Sequence, residues 1–120
     1  MPESASIAIY EDNQDWQATI KGILTDSGHK VVALASSAED AERITAQIEA
    51  GQLKVDAVCI DSNLDDNETK QVHGRAYADR LQALGIPVFD ISSSGQGYGS
   101  HSSPKDSPTF SEIGSSITNL

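Results

Sequence analysis

Cysteine, aromatic residues and basic side chains are scarce in this chain, and each shortage excludes something. Cys59 is the single cysteine among 120 residues, so no internal disulfide and no multi-cysteine zinc site can form. Its place inside the apolar stretch Val55 to Ile60 makes a buried, unreactive thiol the expectation. Eight Lys and Arg stand against eighteen Asp and Glu, a net charge of -10, which is the wrong sign for neutralising phosphates along DNA or RNA. No nucleic-acid partner is expected. Apolar runs are short as well. The longest, Val31 to Ala35, has five residues, whereas a membrane span needs about twenty and a signal peptide needs an apolar core behind a basic start. A soluble, cytoplasmic protein with no membrane partner follows as an expectation. The length fits one domain over residues 1–120 and leaves no room for an output module. Apolar residues at 38%, with aromatics at only 5%, allow a modest core.

What is present is an alternation of short apolar runs with amphipathic stretches, the pattern of a parallel sheet covered by helices. Ser6 to Tyr10, Val31 to Ala35, Val55 to Ile60 and Ile86 to Ile91 read as strands. They are rich in Val and Ile and lack the strict alternation of a half-wet sheet, so burial on both faces is predicted for each. The first helix is predicted from Asn13 or Asp15, with Trp16, Ile20, Ile23 and Leu24 at helical spacing and Ser27-Gly28 at its end. The second opens at Ser37 with Asp40 three residues on, and places Ala41, Ile44 and Ile48 along one stripe before Gly51. The third runs from Gly74 to Leu84 with Ala76, Tyr77, Leu81 and Leu84 facing inward, then stops at Gly85.

After Ser92 the composition changes. Ten of the sixteen residues from 92 to 107 are Ser or Gly, so residues 94–106 are expected to be a mobile loop. A short terminal helix over 107–120 is predicted from Phe110, Ile113, Ile117 and Leu120, behind Ser107-Pro108 and the capping pair Thr109 and Glu112. The fold class is therefore α/β, a doubly wound, flavodoxin-like parallel sheet. A right-handed doubly wound sheet of this kind is expected to take the strand order 2-1-3-4.

Acidic and hydroxyl residues lie at the ends of these strands: Glu11-Asp12 after the first, Asp61 after the third, Ser92 after the fourth. In that strand order the first and third strands are neighbours, and ligands bind in the crevice beyond their carboxyl ends. Taken alone, Glu11-Asp12-Asn13 could equally be a loop with a helix N-cap, and Asp61 a turn-forming aspartate. Their coincidence at one end of the sheet favours a shared acidic pocket.

The sequence resembles a response regulator receiver domain, the phosphoacceptor half of a two-component system. The residues that carry the resemblance are Ile7-Ala8-Ile9-Tyr10-Glu11-Asp12-Asn13, Val58-Cys59-Ile60-Asp61-Ser62-Asn63-Leu64, Gly74 opening the third helix, and Ile86-Pro87-Val88 leading to Ser92. It covers residues 5–93 well and the remainder poorly. The resemblance implies that Asp61 accepts a phosphoryl group from a histidine kinase or phosphotransfer protein. It implies a Mg²⁺ ion held by Glu11, Asp12, Asp61 and the main-chain carbonyl of Asn63, a donor set suited to an ion that prefers a few carboxylates and retained water. Ser92 would be the hydroxyl that turns toward the phosphoryl group, although it also opens a run of three serines. Lys105 would be the lysine that pairs with the phosphoryl oxygens. Pro104 precedes it, where the family has proline after the lysine, and a solvated loop lysine explains it as well.

Such a protein is no enzyme in the ordinary sense: it catalyses its own phosphorylation and slow hydrolysis and signals by binding an output protein. Two departures stand out. The segment from Asp61 to Gly74 is long and acidic and is expected to form a polar flap, and the fifth strand and fourth helix that the resemblance implies are degenerate or missing, the Ser/Gly tract standing in place of the usual partner face. Loss of a positioned lysine and of the fourth helix motivates a second reading, a receiver-like adaptor that works without phosphorylation. A third, a small-molecule-binding flavodoxin-like domain, is disfavoured by the acid-lined pocket. His29, His73 and His101 lie at no metal-ligand spacing and are expected to be exposed or capping. The run Gly95 to Gly99 lacks the lysine-serine and strong helix of a phosphate-binding loop.

Overall fold

Asn13 starts the first helix as a polar cap should, its side-chain oxygen accepting from the Trp16 amide at 3.0 Å in extended backbone. The structure is a computed structural model and describes residues 4–61, 73–91, 101–102 and 110–118. The elements are β1 (Ser6–Tyr10), α1 (Gln14–Asp26), β2 (Lys30–Ala35), α2 (Ala38–Glu49), β3 (Ala57–Ile60), α3 (His73–Ala83), β4 (Val88–Asp90), β5 (His101–Ser102), a 3-10 turn (Phe110–Glu112) and α4 (Ile113–Thr118). All strand pairs are parallel, in the order β2-β1-β3-β4-β5. Ser37 caps α2 by accepting from the Asp40 amide at 3.2 Å. The Asp40 carboxylate reaches back to the Ser36 hydroxyl at 3.1 Å, one residue earlier than in a strict capping box.

The sheet separates two apolar clusters. Ala8, Tyr10, Val58, Ile60 and Val88 face α2 and α3, where they meet Ala41, Ile44, Ile48, Ala78 and Leu81. Ile7, Ile9, Cys59, Phe89 and Ile91 face the other way, against Ile20 and Leu24 of α1 and Phe110, Ile113 and Ile117 of the terminal segment. Each fully buried side chain of this size contributes about 1.5–3 kcal/mol. The clusters therefore hold the helices on the sheet far more firmly than the short strands could alone.

Four expectations change. Burial on both faces holds for β3, flanked by β1 and β4, but not for β2, which is the sheet edge and leaves Val32 and Leu34 exposed. In α3 the inward stripe is Tyr77, Ala78 and Leu81; Ala76 points outward, about 100° behind Tyr77 on the helix. Leu84 falls past the last turn, where Gly85 at φ 80° reverses the chain, and is exposed. His29 is not exposed. It is buried, accepting from the Ala5 amide through Nδ1 at 3.0 Å and contacting the Gly114 carbonyl through Nε2 at 2.9 Å. A fifth strand exists, in degenerate form: Phe89 pairs with His101 and Asp90 with Ser102 inside the Ser/Gly tract. Most of the flap expected between Asp61 and Gly74, most of the loop expected over 94–106, and Thr109 of the expected capping pair lie outside the described residues.

The terminal helix is short but closely seated. A Cβ on Gly114 would fall 2.6 Å from Ser27 Cβ and closer still to its Oγ, so only glycine lets α4 approach the end of α1 this nearly. Trp16 of α1 packs edge-on against Phe110, with ring centroids 5.9 Å apart.

Candidate functional site

Parallel pairing carries the chain past the strand ends in register, and this is what aims the acidic residues. Asp61 N donates to the Tyr10 carbonyl at 2.9 Å and Glu11 N to the Ala35 carbonyl at 2.9 Å, so the first residues beyond β1 and β3 are still pinned to neighbouring strands. Asn13, as the cap of α1, turns the backbone so that its amide donates to Glu11 Oε2 at 3.1 Å. Gln17, one turn along, donates to the Glu11 carbonyl at 2.6 Å. Glu11 is fully buried, Asp61 nearly so, and Asp12 half-buried.

One carboxylate oxygen from each of Glu11, Asp12 and Asp61 lies within 4.8 Å of the other two. With all three ionised, two charges at that separation repel by about 3 kcal/mol at an effective dielectric constant of about 20. Such a cluster is stable with a counter-charge, and hard oxygen donors in this number fit Mg²⁺ better than zinc or copper. The residues present therefore suit the ion that the resemblance implies.

Of the six residues singled out from sequence, Glu11, Asp12 and Asp61 come together. Asn63, Ser92 and Lys105 lie outside the described residues. The backbone leading to Ser92 is described as far as Ile91, whose amide donates to the Ile60 carbonyl at 3.0 Å. β5 ends three residues before Lys105. Two neighbours of the site carry little signal in the sequence. Asp90 is wholly buried at the end of β4, in register with Ile60, and its only signal is a carboxylate inside an apolar run. Tyr10, a core residue by pattern, bonds the buried Thr45 hydroxyl of α2 at 2.7 Å, and burial pushes its phenol up to about 12.

Tyr10 also packs edge-on against Tyr77, over whose ring Arg80 lies 5.7 Å from the centroid. Arg80 in turn bonds Glu42 at 2.9 Å and Glu49 of α2, which raises its own pKa and holds the Glu49 carboxyl below its ordinary value. A continuous set of contacts thus joins the strand beneath the acidic cluster to the outer side of α2 and α3.

Solved structures share this fold. The receiver domain of the PhyR response regulator from Erythrobacter litoralis matches with a TM-score of 0.72 at 17% identity, over 97% of this chain and 90% of that one. The response regulator domain of Thermotoga maritima CheB matches with a TM-score of 0.67 at 16% identity, over 96% of each chain. This chain has the receiver-domain fold. A third receiver, the phosphorylated cyanobacterial phytochrome response regulator RcpA, matches with a TM-score of 0.68 at 20% identity, over 97% of this chain and 90% of that one. At these identities the likeness is one of fold. No family model matches the sequence, and no curated protein does. Among the described residues no helix is long and apolar enough to cross a membrane.

Proposed function

We propose that the chain is a cytoplasmic response regulator receiver that takes a phosphoryl group onto Asp61 from a histidine kinase or phosphotransfer protein. The observation that carries this is the convergence of Glu11, Asp12 and Asp61 at the carboxyl end of a receiver-fold sheet. An Asp61 carboxylate oxygen attacks the phosphorus of a phosphohistidine; the P–N bond breaks, and the departing imidazole takes a proton from water. The product is an acyl phosphate, which water later hydrolyses. The backbone pinned between Tyr10 and Ile91 holds Asp61 in place, so little orientational freedom is lost on attack. Glu11, Asp12 and Asp61, with the Asn63 carbonyl, would hold Mg²⁺. Its chemistry there is charge neutralisation, which lets an anionic nucleophile meet an anionic phosphoryl group.

Ser92 is assigned the hydroxyl that reports the phosphoryl group, on the strength of the Ile91 to Ile60 hydrogen bond. Lys105, which follows β5, is assigned the charge partner of the phosphoryl oxygens. Signalling then runs through an output protein. Acetyl phosphate with Mg²⁺ should add one phosphoryl group in an acid-stable, alkali-labile linkage. Asp61→Asn should abolish labelling without unfolding the chain, Asp12→Asn should weaken it, and Ser92→Ala should label while losing the response. If neither small donors nor a panel of kinases label the wild type, the adaptor reading replaces this one. Labelling of Asp61→Asn would move the acceptor elsewhere.

A further inference from the structure

His29 lies far from the acidic cluster, in the turn between α1 and β2, and its ring joins two segments that are distant in sequence. A backbone amide can only donate, so the bond from Ala5 N requires an unprotonated Nδ1. The proton of the neutral ring then sits on Nε2, which faces the Gly114 carbonyl and the Thr118 hydroxyl, each at 2.9 Å. Thr118 closes the set by donating to the same carbonyl at 3.0 Å. The imidazole is 3% exposed. The groups facing it are the Ala5 amide ahead of β1 and the Gly114 carbonyl and Thr118 hydroxyl of α4. From its own turn the adjacent Lys30 is exposed, and among the described residues no charged side chain bonds the ring.

We infer that His29 is a pH-sensitive latch: the neutral imidazole fastens α4 to the amino end of β1, and protonation at Nδ1 releases it. An imidazolium presents an N–H to the Ala5 N–H, so the bond becomes a repulsion, and a charge is left in a buried site with no anion bonded to it among the described residues. The element that answers is α4, because it has only six residues and a single turn of apolar contacts. The strands β1 and β3 are held from both sides and stay in place.

The test is amide hydrogen exchange on the full chain between about pH 8 and about pH 5.5, above the range where carboxylates titrate, with rates corrected for intrinsic pH dependence. Protection of residues 113–118 and of the Ala5 amide should fall about tenfold or more on acidification, while Ile9 and Cys59 keep theirs. His29→Gln retains an oxygen acceptor and an N–H donor but cannot titrate, so its α4 should stay protected across the range. Should that variant fold poorly, nitrogen chemical shifts of the wild-type ring decide: the proton should lie on Nε2 at neutral pH, and the midpoint of ring titration should coincide with loss of α4 protection. Constant α4 protection in the wild type, non-coincident midpoints, or equal acid sensitivity in a folded His29→Gln chain each overturn the latch.

Discussion

Gly114→Ala places one methyl group where α4 meets the end of α1, and the structure sets the size of the effect. The new carbon would lie 2.6 Å from Ser27 Cβ and 3.4 Å from the Ile23 carbonyl oxygen, besides overlapping Ser27 Oγ. Rotating Ser27 removes only the hydroxyl conflict, so α4 must move. Overpacking of this kind costs about 1–3 kcal/mol, and alanine returns at most about 1 kcal/mol of helix propensity. A net loss of about 1–2 kcal/mol is expected. Ser27→Gly removes both colliding atoms and sacrifices only the hydroxyl bond to the Ile23 carbonyl, a loss of about 1 kcal/mol or less. The double variant should therefore be no less stable than Ser27→Gly alone, a coupling of about 1–2 kcal/mol between the two positions. Urea unfolding followed by circular dichroism gives the energies, and Trp16 fluorescence reports the seat of Phe110 in the same titration. A Gly114→Ala chain as stable as the wild type, or one not rescued by Ser27→Gly, would refute the close approach.

Mg²⁺ at saturating concentration should raise the melting temperature of the wild type but not of Glu11→Gln, since an ion that binds only the folded chain stabilises it by about 2.7 kcal/mol at a hundredfold excess over Kd; equal shifts in both chains would count against the cluster. Burial pushes Tyr10 up to about 12, so between about pH 10 and about pH 12 the unfolded chain releases a proton that the folded chain keeps, and stability falls as pH rises by up to about 1.4 kcal/mol per unit. Tyr10→Phe should lose about 1–2 kcal/mol near neutral pH, by orphaning the Thr45 hydroxyl, yet show a shallower alkaline decline in urea unfolding; an unchanged slope would contradict it. Burial pushes the Cys59 thiol up to about 12 as well, so aromatic disulfide reagents should modify it only at the rate of global unfolding, and rapid labelling of the native chain would show the site to be open.

Local signals carry most of what can be read from the sequence. The caps at Asn13 and Ser37, the strand Ser6 to Tyr10 and the stripe Ala41, Ile44, Ile48 all lie where residue type and spacing put them. Glu11, Asp12 and Asp61 are legible because a strand end announces the residue after it, and topology then brings two such ends together. What stays hidden depends on partners remote in the chain. His29 is buried because Ala5 and Gly114, 24 and 85 residues away, supply its hydrogen bonds. Helical period alone points Leu84 inward, and the turn at Gly85 overrides it. β5 has two residues in a Ser/Gly tract, with pairing to β4 as its only distinguishing feature. Asp90 is obscured by the apolar run around it.

The register of β2 has a consequence for how these molecules behave in a crowd. Ile7 pairs with Val31 but Ala8 with Ala33, so Val32 is an extra residue that kinks the strand at the rim of the sheet. That rim is also where Val32 and Leu34 stand exposed beside backbone groups with no further strand among the described residues. A flat apolar rim would be a template for fibril growth, one chain stacking on the next. The kink spoils it, because an incoming strand must carry a matching irregularity to keep its hydrogen bonds in step. The high negative charge adds mutual repulsion at a distance, and both features work against one chain stacking on the next at this rim.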